Sequence, residues 1–134
     1  MSTFRSFEPF ARSLLRIVAG FTFSEHGMQK ILGLFGGLGG KGVTASFGSL
    51  IWIAGCLELV GGLLLMLGLF TSPVAFILSG EMAVAYFRAH FPHGFFPMVN
   101  HGELAVLYCF IFLYLCAAGA GPLSVDAVLR NKPD

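Results

Sequence analysis

The chain has 134 residues, of which 56% are hydrophobic and 11% charged, with a mean hydropathy of +0.82 and a formal net charge of +1. A soluble domain of this length cannot hide that much apolar surface, and no Lys/Arg cluster offers a footing for nucleic acid. These features exclude a soluble globule and a nucleic-acid binder, and predict one integral membrane domain over residues 1–134, in contact with the lipid bilayer.

The opening residues, MSTFRSFEPFARS, lack the short apolar core of a cleavable signal and read as a polar entry, with Pro9 suited to a first helical turn. A first apolar helix is predicted over about 10–31. Arg12 and Arg16 lie near its start, placed to snorkel to the interface, and Glu25, His26, Gln29 and Lys30 lie at its far end. The glycine-rich GLFGGLGGKG, residues 33–42, reads as a flexible connection. Its G-x-G-x-x-G match has no preceding strand and is no nucleotide loop.

The second helix, about 49–69, carries one ionisable side chain, Glu58, near its middle. Twenty-one helical residues reach roughly 32 Å, about the thickness of a bilayer's hydrocarbon core. Gly48, Gly55 and Gly62 form one row at seven-residue spacing, and Ala54, Gly61 and Gly68 form another, with Glu58 between them. Small residues mark close helix approach, so Glu58 faces protein. A third helix is predicted over about 73–89, capped by Ser72, with Glu81, Ala85 and Arg88 on one stripe. An aromatic, proline-broken loop spans 90–102. A fourth helix covers about 102–118 with Glu103 at its entrance, and Val125–Asp134 is a short polar tail.

The predicted architecture is therefore all-α, a bundle of four transmembrane helices. Arg5, Arg12, Arg16, Arg130 and Lys132 lie on the side of the termini, against Lys30, Lys41 and Arg88 on the other, which favours cytoplasmic termini in a multi-pass inner-membrane protein. Most of the polar chemistry gathers in the outer half. His26 and Lys30 share a helical face. Glu58, Glu81 and Glu103 against Lys30 and Arg88 give three acids and two bases, so a leftover carboxyl must hold a proton or meet a ligand. His90, His93 and His101 fit no standard metal motif, and no metal site is assigned. Cys56, Cys109 and Cys116 fall in apolar segments without a CxxC pair and read as buried thiols.

The stretches LLRIVAGFTFSEHGMQKI, GCLELVGGLLLMLGLFTSP and NHGELAVLYCFIFLYLCAAGAGPLSVD together resemble the DoxX family of small four-helix membrane proteins. The pattern falls on Arg16, His26, Gly27, Lys30, Glu58, Gly61, Gly62, Asn100, Gly102, Glu103, Gly119, Gly121, Ser124 and Asp126. The chain departs from it at His101, where the family has a second glycine. Founding members look like subunits of a thiosulfate:quinone oxidoreductase, so the resemblance implies a membrane oxidoreductase role, and with no haem motif or iron–sulfur cysteine set in the chain such a role needs a quinone, a flavin or a redox partner subunit. On this reading Glu58, Glu81 and Glu103 are the candidate catalytic carboxyls. His26, Lys30, Arg88 and Asn100 are the ligand-binding residues of an outward-facing polar pocket, with Lys30 and Arg88 holding an anionic or carbonyl group. The sequence admits two rivals, a binding or transport protein for a lipid or small solute and a non-catalytic assembly subunit, and it leaves a homo-oligomer open.

Overall fold

The structure, a computed structural model, describes residues 2–131; Lys132 and the end of the tail lie outside the described residues. Its regular elements are α1 (Ser2–Leu32), α2 (Leu50–Leu67), α3 (Thr71–Ala85), a π-helical continuation of α3 (Tyr86–His90), a single 3-10 turn (Phe91–His93), α4 (Pro97–Asn100), α5 (Glu103–Ala118) and α6 (Val125–Arg130). No strand occurs among the described residues beyond an isolated bridge between Leu38 and Val43 in the glycine-rich link. The fold is all-α.

α1 packs along α2, α3 packs along α5, and lesser contacts join α2 to α3 and α1 to α5. The α1–α2 seam is backbone against backbone. A Cβ on Gly27 would lie 2.3 Å from Leu59 N, and one on Gly62 would lie 2.7 Å from Ser24 N. The second small row of α2 meets a different neighbour: a Cβ on Gly61 would lie 2.9 Å from Leu78 of α3. The two rows thus let two helices approach. The α3–α5 contact is fixed by Ser79 Oγ, which donates to Cys109 O at 2.8 Å. Phe23, Tyr108 and Phe112 fill the core between α1 and α5, and Tyr108 donates to Thr22 Oγ1 at 2.7 Å.

Apolar side chains cover much of the exposed surface as well, among them Phe21, Phe76, Ile77, Val84, Phe110 and Leu113. Among the described residues one helix, Leu50–Leu67, is long and apolar enough to cross a membrane; only 28% of it is buried, where a soluble core helix would be mostly buried. Glu103–Ala118 is apolar but shorter.

Several sequence expectations need correction. α1 begins at Ser2, not near Phe10, and carries Pro9 inside it. Proline there removes a backbone donor and crowds the carbonyl one turn back, yet the helix runs through. Arg16 does not snorkel, because it is fully buried. Its Nε donates to Ala120 O at 2.8 Å and its Nη1 to Leu65 O at 2.5 Å and Met66 O at 2.7 Å, while Nη2 donates to Leu123 O. The guanidinium thus ties two carbonyls at the end of α2, Met66 O and Leu65 O (which also accepts from Gly68 N at 3.0 Å), to the stretch after α5. Arg12 donates to Ala118 O and pairs with Glu8 at 3.5 Å.

Ser72 does not cap α3. The N-cap is Phe70, in the left-handed region at φ 52. The cap comes from Asp126, whose carboxylate accepts from Phe70 N and Thr71 N, each at 2.9 Å, while Asp126 N donates to Gly68 O at 2.9 Å. Burial pushes the Asp126 carboxyl up, but the hydrogen bonds from Thr71 and Phe70 and the charge of Arg130 outweigh it and hold the group below its usual value. The predicted polar tail contains α6, with Ser124 as N-cap accepting from Ala127 N at 3.1 Å.

Candidate functional site

The site grows from the end of α1. Lys30 stands in its last turn, and the α1–α2 seam brings that turn beside Gly55, where a Cβ would lie 2.9 Å from Lys30 Cβ. One turn deeper on α2 is Glu58, 3% exposed. Lys30 Nζ donates to both of its oxygens, at 2.5 and 2.6 Å. The pair is charge-assisted and two-pronged on the carboxylate side. It is also asymmetric in depth, since the lysine side chain retains 22% exposure. The ammonium stays in partial contact with the surroundings and the carboxylate does not.

α3 supplies the facing wall. Glu81, Ala85 and Arg88 line the same cavity as Lys30 and Glu58, with Gly80, Ile77, Val84 and Ala89 beside them. The stripe predicted for Glu81 and Arg88 persists through the change to π-helix at Tyr86, a kind of local widening often found at functional positions. The cavity encloses about 560 Å³ and its α2 wall is Leu50, Ile51, Ile53, Ala54 and Leu57. Its walls are mostly apolar, and many of them (Leu50, Ile51, Ile53, Ile77, Val84) are exposed, so it is a groove between α2 and α3 that opens sideways. Both carboxyl oxygens of Glu81 are buried, and neither has a hydrogen-bond partner among the described residues. Arg88 is exposed at the mouth.

Three predicted residues lie elsewhere. His26 sits one turn before Lys30 but turns to α5, its ring 6.2 Å from Tyr108 and 6.4 Å from Phe23. Glu103 is exposed at the start of α5, where a carboxylate suits the helix dipole. Asn100 is buried and spends its amide on the loop, Nδ2 donating to Gly94 O at 2.7 Å and Tyr86 Oη at 3.1 Å while Oδ1 accepts from Gly102 N at 2.8 Å. A Cβ on Gly102 would lie 2.7 Å from Asn100 Oδ1, which explains the glycine there. Asn-x-Gly-Glu is therefore a loop-folding unit that starts α5, and it contributes no wall to the cavity. The sequence reading also missed two anchors, the buried Arg16 and the half-buried Asp126. A signal for Arg16 existed: Ser13, Ala19 and Gly20 put small residues on its face of the helix.

A helical chain that sets an acid–base pair and a carboxyl unpartnered among the described residues in an apolar groove defines a class, a helical protein with an amphiphilic cavity. The family model described as DoxX matches residues 11–91, more than half of the chain, and the chain belongs to the DoxX family. Lys30, Glu58, Glu81 and Arg88 all fall within that span, whereas Asn100, Glu103 and Asp126 lie beyond it. A Haemophilus influenzae relative named "Uncharacterized protein" is 42% identical over 136 residues, covering 98% of this chain and all of the relative. A Bacillus subtilis relative named "Putative oxidoreductase CatD" is 27% identical over 124 residues, covering 89% of this chain and 87% of the relative. No solved structure matches.

Proposed function

We propose that this DoxX-family chain is a single multi-pass domain of the inner membrane, its four long helices crossing the bilayer with the termini in the cytoplasm. We further propose that it serves as the quinone-seating component of a membrane oxidoreductase. The exposed apolar side chains on α1, α2, α3 and α5 support the membrane reading. So does the length of α3 with its π continuation, Thr71–His90, which at about 1.5 Å per residue approaches the hydrocarbon thickness. The name of the Bacillus subtilis relative supports the redox reading.

The observation that carries the proposal is the groove itself: apolar walls converging on Lys30, Glu58 and Glu81. Its volume lies in the range of small-molecule sites, about 300–1,000 Å³, and a few placed polar groups in apolar walls is their usual make-up. The cavity therefore fits a quinone ring. When bound, the quinone supplies two-electron, two-proton redox chemistry, and a partner subunit exchanges the electrons. This chain's residues do the rest. Ile51, Ile53, Leu57, Ile77 and Val84 shield the ring from water. The Lys30–Glu58 pair fixes a local field at the floor, and the Glu81 carboxyl takes or gives a proton.

Native mass spectrometry of protein purified in mild detergent, with extraction of bound small molecules, tests this. A quinone that co-purifies with the wild-type chain and is lost in Glu58→Gln or Glu81→Gln is the expected result. A bound phospholipid with no quinone would replace this reading with a second, a lipid-binding protein, which the sideways opening of the groove favours. A stoichiometric partner with no bound small molecule would replace both with an assembly role.

A further inference from the structure

The outer face of α1 carries a polar pair that the bundle leaves unanswered. Glu25 shares one helical stripe with Leu14, Val18, Phe21 and Leu32. Those four are exposed and Glu25 is half-buried. Gln29, one turn on and about 40° round the helix, is half-buried too. Neither side chain has a hydrogen-bond or ion-pair partner among the described residues. The other faces of α1 are taken: Gly20, Ser24 and Gly27 meet α2, while Phe23 and His26 meet Tyr108 of α5.

Depth makes this arrangement costly. Along the seam, Ser24 lies against Gly62 and Gly27 against Leu59, so Glu25 stands level with Val60 and Gly61 of α2. Leu50, the outer end of α2, is then about 15 Å away along the axis, and Leu67, the inner end, about 10 Å. A glutamate side chain is too short to snorkel over either distance. Lipid tails satisfy the apolar members of the stripe and offer nothing to the carboxyl or the amide. Ionisable groups at such depth face protein or pair with one another.

We propose that this face of α1 is a self-association surface, covered by α1 of a second copy, with Glu25 of each chain paired to Gln29 of the other. The proposal rests on the reading of α1 as a membrane-spanning helix and goes beyond the groove between α2 and α3. Self-complementarity argues for a second copy. A two-fold interface sets one patch against itself, and this patch holds a carboxyl and a primary amide. The Gln29 amide nitrogen donates to a carboxyl oxygen of Glu25, and a Glu25 that holds a proton also donates to the amide oxygen, so the pair closes in either state. With the axis along the membrane normal, level with Gly27, the two groups are about 6 Å apart along the helices, which two long side chains span. The pair is made twice. Phe21, Val18 and Leu14 extend the contact on one side and Leu32 on the other.

The test is single-molecule photobleaching of full-length protein in liposomes, one fluorophore per chain, over a range of lipid-to-protein ratios. Wild-type protein is expected to dimerise. Glu25→Leu and Gln29→Leu are each expected to weaken the dimer about tenfold, or about 1.4 kcal/mol, and the double leucine variant no further. Exchanging the pair, Glu25→Gln with Gln29→Glu, keeps both partners and is expected to restore association. Wild-type protein that stays monomeric at every ratio overturns the proposal. So do leucine variants that dimerise like the wild type, an exchange variant as weak as the leucine ones, or a different membrane protein held in place of the second copy. If Glu25→Leu does not fold, Phe21→Cys in a chain with Cys56, Cys109 and Cys116 replaced by alanine is expected to cross-link on oxidation; cross-linking instead at Phe110→Cys, on the exposed face of α5, overturns the proposal. Failure of the underlying membrane reading looks different: an alkaline wash then releases the chain from membranes, which removes that reading and the proposal together.

Discussion

Replacing Lys30 by methionine isolates the physics of the cavity floor. The substitution keeps most of the side-chain volume and removes the ammonium that meets Glu58 at 2.5 and 2.6 Å. Glu58 is then left 3% exposed with its only salt-bridge partner among the described residues gone. Breaking a buried pair by removing one partner costs about 3–5 kcal/mol, because the remaining charge is stranded. The lysine end keeps 22% exposure, so surroundings reach that side and the loss should fall toward the lower end, about 3 kcal/mol. Glu58→Gln removes the other charge and leaves an ammonium that can turn outward, so it should cost less, about 1–2 kcal/mol. The double variant should therefore be more stable than Lys30→Met alone. Reversible unfolding in mixed detergent micelles, followed by circular dichroism, measures all four corners of the cycle. Additive single effects, within about 0.5 kcal/mol, would mean that the two groups do not interact and would refute the reasoning.

Other parts of the molecule give equally direct expectations. Gly27→Ala places a methyl 2.3 Å from Leu59 N and must push α1 off α2, so it should destabilise by about 1–3 kcal/mol, whereas Gly80→Ala has open space and should be neutral or stabilising in the same unfolding assay. Arg16→Lys keeps the charge but cannot reach the carbonyls of Leu65, Met66, Ala120 and Leu123 at once, and should cost about 2–3 kcal/mol, close to Arg16→Met. The Asp126 carboxyl is held below its unfolded value, so its contribution to stability is full above the unfolded pKa of about 3.9 and is lost as pH falls toward the native one. Acid titrations comparing wild type with Asp126→Asn should show that part of the pH dependence disappear; identical slopes would contradict the assigned cap.

The sequence reading placed Glu58, Glu81 and Arg88 by helical spacing, and the reason is local. Glu58 lies between two small rows of one helix, and Glu81 and Arg88 lie on one stripe of another, so each relation is contained in a single element. Lys30 was included as a base near a helix end, and the seam of Gly20, Gly27, Gly55 and Gly62 brings it to Glu58. The same spacing rule misassigned His26. Residues four apart differ by only about 40° around a helix, but α1 touches α2 on one side and α5 on the other, and the boundary falls between His26 and Lys30. Asn100 and Glu103 were drawn in by motif and depth, and spacing along the chain does not reveal that the Asn100 amide closes on Tyr86, Gly94 and Gly102. Partners about a hundred residues apart, such as Arg16 and Ala120, are beyond any periodicity argument. Pro9 likewise suggested a boundary that α1 ignores.

The clasp at the terminal end has a consequence for the order of events in synthesis. Arg16 leaves the ribosome early, but two of its acceptors, Ala120 and Leu123, and the Asp126 carboxylate that holds the α2–α3 turn, are made more than a hundred residues later. Until they emerge, the guanidinium has only Leu65 and Met66, and the first amides of α3 lack their cap. A nascent chain stalled after Ala118 would hold its long helices with that end unlocked. The Ala120–Asp126 stretch thus locks this end of the bundle only after the long helices have been made.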